Sequence, residues 1–435
     1  MAKRIVVTAT GDALITRRMP DYPDEPFRRL VDLIRLADVA FTNMEMTLSN
    51  YEGSPVVESG GMNLSAEPGV ARDLRRMGFN LTAFANNHTL NYGEHGCLET
   101  LRVLREVDFV CAGAGRHLDE ARSPAYLETA ADRVGLVACA STFAKGQEAG
   151  AQRPDTPGRP GLNPQRFDTL YAVDQEHYDA VKRIAELTGA EKWRQWRIWM
   201  GFGKPPKREG EFIFAERSFI VSDRFEIRTE PNQDDLAGNT RSVRIAREMS
   251  DLTLVSIHAH EPKDEMWQPA DFIVEFAHAC IDAGADMVIG HGPHMLRGLE
   301  IYRGKPIFYS LGNFIFQYEY LQRIPADDYA TMNADPSMTP PEVFRLVSQN
   351  DTRSFPAEPR YWETVLPLCT FAGRELVSIE LHPVTLGPGS GWPERGTPRL
   401  ADPRHGEEIL RWMADLSAAY GTAIDIVDGV GRVRL

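Results

Sequence analysis

Five of the eleven histidines fall in three short clusters, each following an apolar run that reads as a buried strand. They are Asn86-Asn87-His88 after Leu81 to Ala85, His258-Ala259-His260-Glu261 after Leu252 to Ile257, and His291-Gly292-Pro293-His294 after Met287 to Gly290. Two carboxylates hold equivalent places, Asp12 in Thr10-Gly11-Asp12 and Glu45 in Thr42-Asn43-Met44-Glu45. Strand ends are where α/β folds build ligand sites. Imidazoles, carboxylates and amide oxygens are metal-ligand types, so five strand ends of this kind can converge on one divalent cation. With Asp12, Glu45, Asn87 and waters as ligands the set is oxygen-rich and suits Ca²⁺, Mg²⁺ or Mn²⁺. His88, His258 and His291 then bind directly or reach the ion through water. Imidazoles beside a cation are also natural acid/base groups, because their ordinary pKa of ~6.5 lies near working pH. Asp12, His88, His258, His260 and His294 are the catalytic candidates on this reading. A hydrolase needs one such group to activate water, whereas an epimerase needs two on opposite faces of a Cα.

The elements that must position these groups are legible in the hydrophobic pattern. Short runs rich in Val, Ile, Phe and Ala alternate with amphipathic stretches from Arg4 to Ala140 and again from Leu252 to Ile289, which predicts an α/β protein with buried strands. Beyond Leu299 the strand-like runs follow one another without long helices, as expected of an antiparallel portion. Two segments break the alternation. Residues 144–240 read as an insertion with a Pro-rich stretch, a long helical pattern from Gln175 to Met200 and a hairpin near Glu211 to Thr229. Trp193, Trp196 and Trp199 recur there every three residues along one side of the helix, either packed on the main domain or, through Trp193 and Trp196, walling a substrate site. Residues 317–360 form a long stretch of weak periodicity, the kind of loop that serves as a lid or binding loop. The expected organisation is a first part at 1–143, the insertion at 144–240 and a second part at 241–435.

Composition excludes several classes. The chain of 435 residues is 43% hydrophobic and 25% charged, average values that rule out disorder and fibrous repeats. A net charge of −14 argues against nucleic acid as partner. No run reaches the ~20 apolar residues of a membrane span and the start turns polar too early for a secretory signal, so a cytoplasmic protein without membrane contact is expected. Five scattered cysteines in apolar surroundings read as buried reduced thiols.

The motifs resemble those of the CapA-like proteins, named after poly-γ-glutamate capsule synthesis, within the calcineurin-like metallophosphoesterase superfamily. The resemblance rests on Gly11-Asp12, Asn43-Met44-Glu45, Ala85-Asn86-Asn87-His88 with Tyr92-Gly93 and Gly96, Gly113-Ala114-Gly115-Arg116, His258, Gly290-His291-Gly292-Pro293-His294 and Tyr309-Ser310-Leu311-Gly312-Asn313-Phe314. It implies a four-layer α/β/β/α calcineurin-like sandwich, here with a helical insertion, and a metal site at the strand ends. Departures are also present: Asp12-Ala13-Leu14 lacks the histidine of the Asp-x-His motif, Glu45 stands where a bridging Asp is usual, and His258-Ala259-His260 replaces His-Trp-Gly. A subgroup of the family, encoded with lasso peptides, consists of peptide epimerases that invert a carboxy-terminal residue without pyridoxal phosphate. The resemblance therefore implies a metal-dependent peptide epimerase, with Asn86, Arg297 and Asn313 as donors to an enolate-like state. The alternatives are a metal-dependent hydrolase of a phosphoester, an amide or a poly-γ-glutamyl bond, and a non-catalytic accessory protein with a structural metal.

Overall fold

The computed structural model describes residues 4–130, 132–391 and 394–435. Two sheets lie face to face. The first runs, from one edge to the other, through Ile424–Val427, Val430–Val433, Glu375–Thr385, Glu363–Ala372, Arg4–Leu14, Val39–Met44, Leu81–Ala83 and Val110–Ala112, with Asn313–Phe316 and Arg399–Leu400 attached to its flanks. The second runs through Leu296–Tyr302, Lys305–Leu311, Met287–His291, Leu252–His258, Arg133–Ala140 and Ala125–Glu128. Both have parallel centres, as buried strands linked by helical crossovers require.

The layering follows from where the apolar side chains go. Ile5, Val7, Ala9, Phe41 and Leu81 of the first sheet meet Leu136, Leu254, Met287 and Phe308 of the second in one buried cluster. The opposite face of the first sheet is covered by helices Glu25–Leu36, Gly69–Met77 and Gly93–Glu106, through residues such as Phe27, Leu30, Leu74 and Leu104. Helices Gln233–Met249 and Asp271–Asp282 cover the second through Val243, Phe272 and Phe276. The result is the four-layer α/β/β/α arrangement expected. Helix Pro403–Ala418 puts Ile409, Leu410 and Met413 into the cluster between the sheets.

The insertion is smaller than the pattern suggests. A separate four-stranded sheet is built from Phe212–Phe214, Arg217–Val221, Phe167–Val173 and Glu226–Pro231, while Gln233–Met249 already belongs to the main sandwich. The long helical pattern is two helices, Gln175–Leu187 and Ala190–Trp199, because Gly189 adopts a left-handed φ of 76° between them. The antiparallel strands Glu363–Ala372 and Glu375–Thr385 join the first sheet beside Arg4–Leu14. The 317–360 stretch carries short helices, Ala326–Thr331 and Pro340–Val347, the latter started by a Thr339/Glu342 capping box. Four cysteines are buried and none forms a disulfide. Among the described residues no helix is long and apolar enough to cross a membrane.

One close approach matters for the site. A Cβ on Gly11 would lie 1.9 Å from the Gly312 carbonyl oxygen, so the strand that delivers Asp12 passes against the 311–312 turn only because residue 11 has no side chain. Gly11→Ala is expected to destabilise the protein by about 1–3 kcal/mol in chemical denaturation. Gly389→Ala, where a Cβ meets nothing within 4 Å, should change stability by less than about 0.5 kcal/mol.

Candidate metal centre

The parallel registers bring the chemistry-bearing residues to the same end of both sheets. Asp12 pairs with Asn43, and His258 with His291. The chain slips register next to Asp12, between Ala9 and Asp12 on one side and between Asp12 and Ala13 on the other, and such irregularities re-aim side chains. Asp12, Glu45 and His258 are fully buried, His291 nearly so.

Asp12 is the meeting point. Its Oδ1 accepts from Asn43 Nδ2 at 2.8 Å and its Oδ2 from the Gly292 amide at 3.0 Å. His291 Nδ1 lies 3.4 Å and His258 Nδ1 3.6 Å from Oδ1, and His294 Nδ1 lies 3.6 Å from Oδ2. Glu45 forms a second focus. Its Oε1 is 3.7 Å from His258 Nε2, 3.8 Å from His294 Nε2 and 4.0 Å from His88 Nε2. Ring nitrogens face each other at 3.0 Å between His258 and His291 and at 2.9 Å between His258 and His260. Two donor groups result, Asp12/His258/His291 and Glu45/His260/His294, each with its ligand atoms within 4.8 Å of one another.

Fixed amides set the tautomers of two imidazoles. Asn91 donates through Nδ2 to the Ser59 carbonyl and accepts the Leu64 amide at Oδ1, so the Oδ1 that faces His88 Nδ1 at 2.7 Å can only accept. His88 therefore carries its proton on Nδ1 and a lone pair on Nε2. Asn313 donates to the Tyr361 and His294 carbonyls and presents Oδ1 to His294 Nδ1 at 2.9 Å, with the same consequence for His294 Nε2. His294 holds a left-handed φ of 62°, backbone strain located at a candidate catalytic residue.

Burial keeps His88, His258, His260 and His294 neutral. Burial lowers His88 to about 3, and lowers His258 to about 4 despite the nearby Asp12 carboxylate. Burial also lowers His260 and His294, with neighbouring rings adding to the effect at His260. Burial alone would raise Asp12, but hydrogen bonds from His258 and His291 hold it well below the usual carboxylate range. Glu45 is pushed well above that range by burial and then by Asp12. Both Glu45 oxygens and Asn87 Oδ1 are buried without a hydrogen-bond partner. An unmatched buried carboxylate facing neutral nitrogen lone pairs is unfavourable alone and is the donor set that a divalent cation completes. These residues fit a metal.

The other site expectations fare unevenly. His88, His260 and His294 reach a cleft of about 340 Å³ walled by Leu14, Met62, Phe316, Tyr318, Phe344 and Phe355, and among the described residues its lining contains neither Lys nor Arg. Several walls come from the 317–360 stretch. Asn86 is committed within the fold, its Nδ2 serving Asn43 and the Met44 carbonyl while its Oδ1 takes the His88 amide. Asn313 is committed to His294. Arg297 is fully buried and donates to the carbonyls of Ala259, His260 and Met266, which holds the histidine loop from behind. Trp193 and Trp196 stack on each other on an exposed helix and do not line the cleft. Asn43 and Asn91 were not singled out from sequence. Asn91 stands three residues after His88, a spacing compatible with a local bond to it.

Residues 6–318 match the family described as "Bacterial capsule synthesis protein PGA_cap". Two uncharacterized proteins of Sinorhizobium fredii, y4sH and y4uA, are each 34% identical over 444 residues, covering 99% of this chain and 93% of theirs. The capsule biosynthesis protein CapA of Bacillus anthracis is 24% identical over 324 residues, covering 72% of this chain and 60% of its own. A structure of a hypothetical protein from Thermus thermophilus aligns over 87% of this chain and 98% of its own, with 14% identity and a TM-score of 0.40.

Because binding to the native state alone adds RT ln(1 + [L]/Kd) to stability, ~100 Kd of metal is worth about 2.7 kcal/mol. Metal-stripped protein is expected to gain thermal stability on titration with Zn²⁺ or Mn²⁺. The Asp12→Asn/Glu45→Gln double variant should show no such gain, and an equal rise in both proteins would remove these carboxylates from the site.

Proposed function

Since the chain belongs to the bacterial capsule synthesis protein family PGA_cap, and its buried donor groups open on an apolar cleft, we propose that it is a metal-dependent enzyme acting at a carbonyl group of a peptide-type substrate, with hydrolysis of an amide bond as the reaction. The observation that carries this reading is the unmatched Glu45 carboxylate facing the Nε2 atoms of His88, His258 and His294 at the base of the cleft. Asp12, His258 and His291 would hold one cation, with Glu45, His260 and Asn87 Oδ1 available to the same or a second ion. A cation bound there supplies Lewis-acid polarisation of the carbonyl and makes a nearby water more acidic. His294 takes a proton from the attacking water at Nε2 and returns it to the leaving nitrogen, while Asn313 keeps its Nδ1 protonated and its ring aimed. The apolar walls without Lys or Arg favour a peptide segment with apolar side chains over a phosphate ester or a polyanion.

A second reading is inversion at a Cα, the reaction of a peptide epimerase. It is favoured by one specific arrangement: the His88 and His294 rings reach one cleft from different strand ends, His294 presenting its Nε2 lone pair and His88 an Nε2 that accepts from Asn87 Nδ2 at 3.1 Å. Two such bases are what removal and return of a Cα proton require.

Both readings are separated by one experiment. Peptides with apolar residues, as carboxy-terminal acids and amides, are incubated with metal-loaded protein in H₂¹⁸O and in D₂O. Hydrolysis predicts ¹⁸O in the product, whereas inversion predicts Cα deuterium without ¹⁸O; turnover of neither kind contradicts the enzymatic reading. His294→Ala is expected to lower kcat by at least ~100-fold. Asn313→Ala should lower it by ~10- to 100-fold with metal content retained, as for loss of a group that orients a histidine.

A further inference from the structure

The segment from 182 to 208 has a composition unlike the rest of the chain. With the rest of helix Gln175–Leu187 it holds eight Lys and Arg against four Asp and Glu, in a protein whose net charge is −14. Asp168 neutralises Lys207, Glu230 and Asp168 neutralise Arg208, and Glu191 neutralises Arg194. Lys182, Arg183, Lys192, Arg197 and Lys204 form no salt bridge among the described residues.

The same segment exposes its aromatic residues. Helix Ala190–Trp199 buries none of its side chains. Trp193, Trp196 and Trp199 are 57%, 44% and 80% exposed, and Phe202 just beyond them is 70% exposed. At 100° per residue the three tryptophans form one broad stripe, with Lys192 lying within it and Arg197 along its border. A helix packed only for folding would bury this stripe, yet each of its three tryptophans keeps 44% or more of its surface exposed.

We propose that this hairpin, formed by helices Gln175–Leu187 and Ala190–Trp199, is a peripheral attachment surface for an anionic lipid bilayer. Two observations select that occupant. Five cations without a salt bridge, four on the two helices and Lys204 beyond them, are complementary to anionic headgroups, whereas a second copy of this chain would bring the same five cations into a symmetric contact. Tryptophans interleaved with Lys and Arg suit the headgroup region, where the ring body is buried and the indole N–H and the charged ends stay wet. The chain lies on the bilayer and does not span it, so the want of a spanning helix is no objection. The acidic remainder of the molecule is repelled by the same surface, which orients the protein with the hairpin inward. Nothing in this inference depends on the reaction at the metal centre.

Co-sedimentation of the full chain with vesicles tests it, comparing phosphatidylglycerol/phosphatidylcholine mixtures with pure phosphatidylcholine. Binding to the anionic vesicles is expected to be at least ~10-fold stronger and to weaken as salt rises. The variant Trp193→Ala/Trp196→Ala/Trp199→Ala and the variant Lys192→Glu/Arg197→Glu/Lys204→Glu should each lose ~10-fold or more of that binding with unchanged circular dichroism. Quenching of the unaltered protein's tryptophan emission by brominated lipid supplies a readout that needs no variant. Absence of sedimentation with anionic vesicles, binding that neither variant weakens, or absence of quenching would overturn the proposal. So would saturable binding of soluble poly-L-glutamate in place of vesicles, which would assign the surface to an acidic polypeptide.

Discussion

A carboxylate withdrawn from water must be met by donors or by a cation, and at Asp12 that requirement ties the molecule together. Its two oxygens take Asn43 from the first sheet and the Gly292 amide from the second, at 2.8 and 3.0 Å, while three imidazoles crowd within 3.6 Å. Much of the surrounding construction serves this position. Gly11 lets its strand pass the 311–312 turn, the register slips turn its side chain inward, and Gly292 with φ 119° brings a backbone N–H to it where a Cβ would strike His260 and Ala259. Glu45 shares the burial without the donors. The contrast between a matched and an unmatched carboxylate, each within reach of neutral rings, is what makes the site read as a cation centre and not as a structural hydrogen-bond network.

Outside the ligand groups lies a shell of amides that does no chemistry of its own. Asn91 and Asn313 fix the protonated nitrogen of His88 and His294, Asn86 and Asn43 bond each other beneath them, and Arg297 anchors the loop bearing His258 and His260 through its carbonyls. Such partners orient ligands and hold bases in one tautomer. The strained backbone at His294 persists because Asn313 grips both its ring and its carbonyl.

The residues that bear charge or lone pairs were legible from sequence because strand ends are marked by abrupt changes from apolar to polar residues. That was true of Asp12, Glu45, His88, His258, His260, His291 and His294. The partners of the supporting amides are not legible in the sequence, for a definite reason. Whether an amide or a guanidinium is free depends on which distant carbonyl it meets, and Asn313 meets Tyr361 while Arg297 meets Met266, partners that no local pattern reveals. The α/β character with buried strands followed from the alternation of strands and helices, and the four-layer arrangement from the resemblance to the CapA-like family. The extent of the insertion did not, since Gln233–Met249 looks the same in sequence whether it packs on the main sheet or on the small one. Trp193 and Trp196 show the same limit, because their spacing marks a helix face and only the fold shows that this face stays largely exposed.

The central claim is that the imidazole and carboxylate groups at these strand ends hold a divalent cation. X-ray absorption at the metal edge of Zn²⁺-loaded protein tests it most directly. The arrangement predicts nitrogen and oxygen neighbours at about 2.0–2.2 Å together with the outer-shell signature of several imidazole rings. A first shell of water oxygens without imidazole scattering, or one containing sulfur, would contradict it.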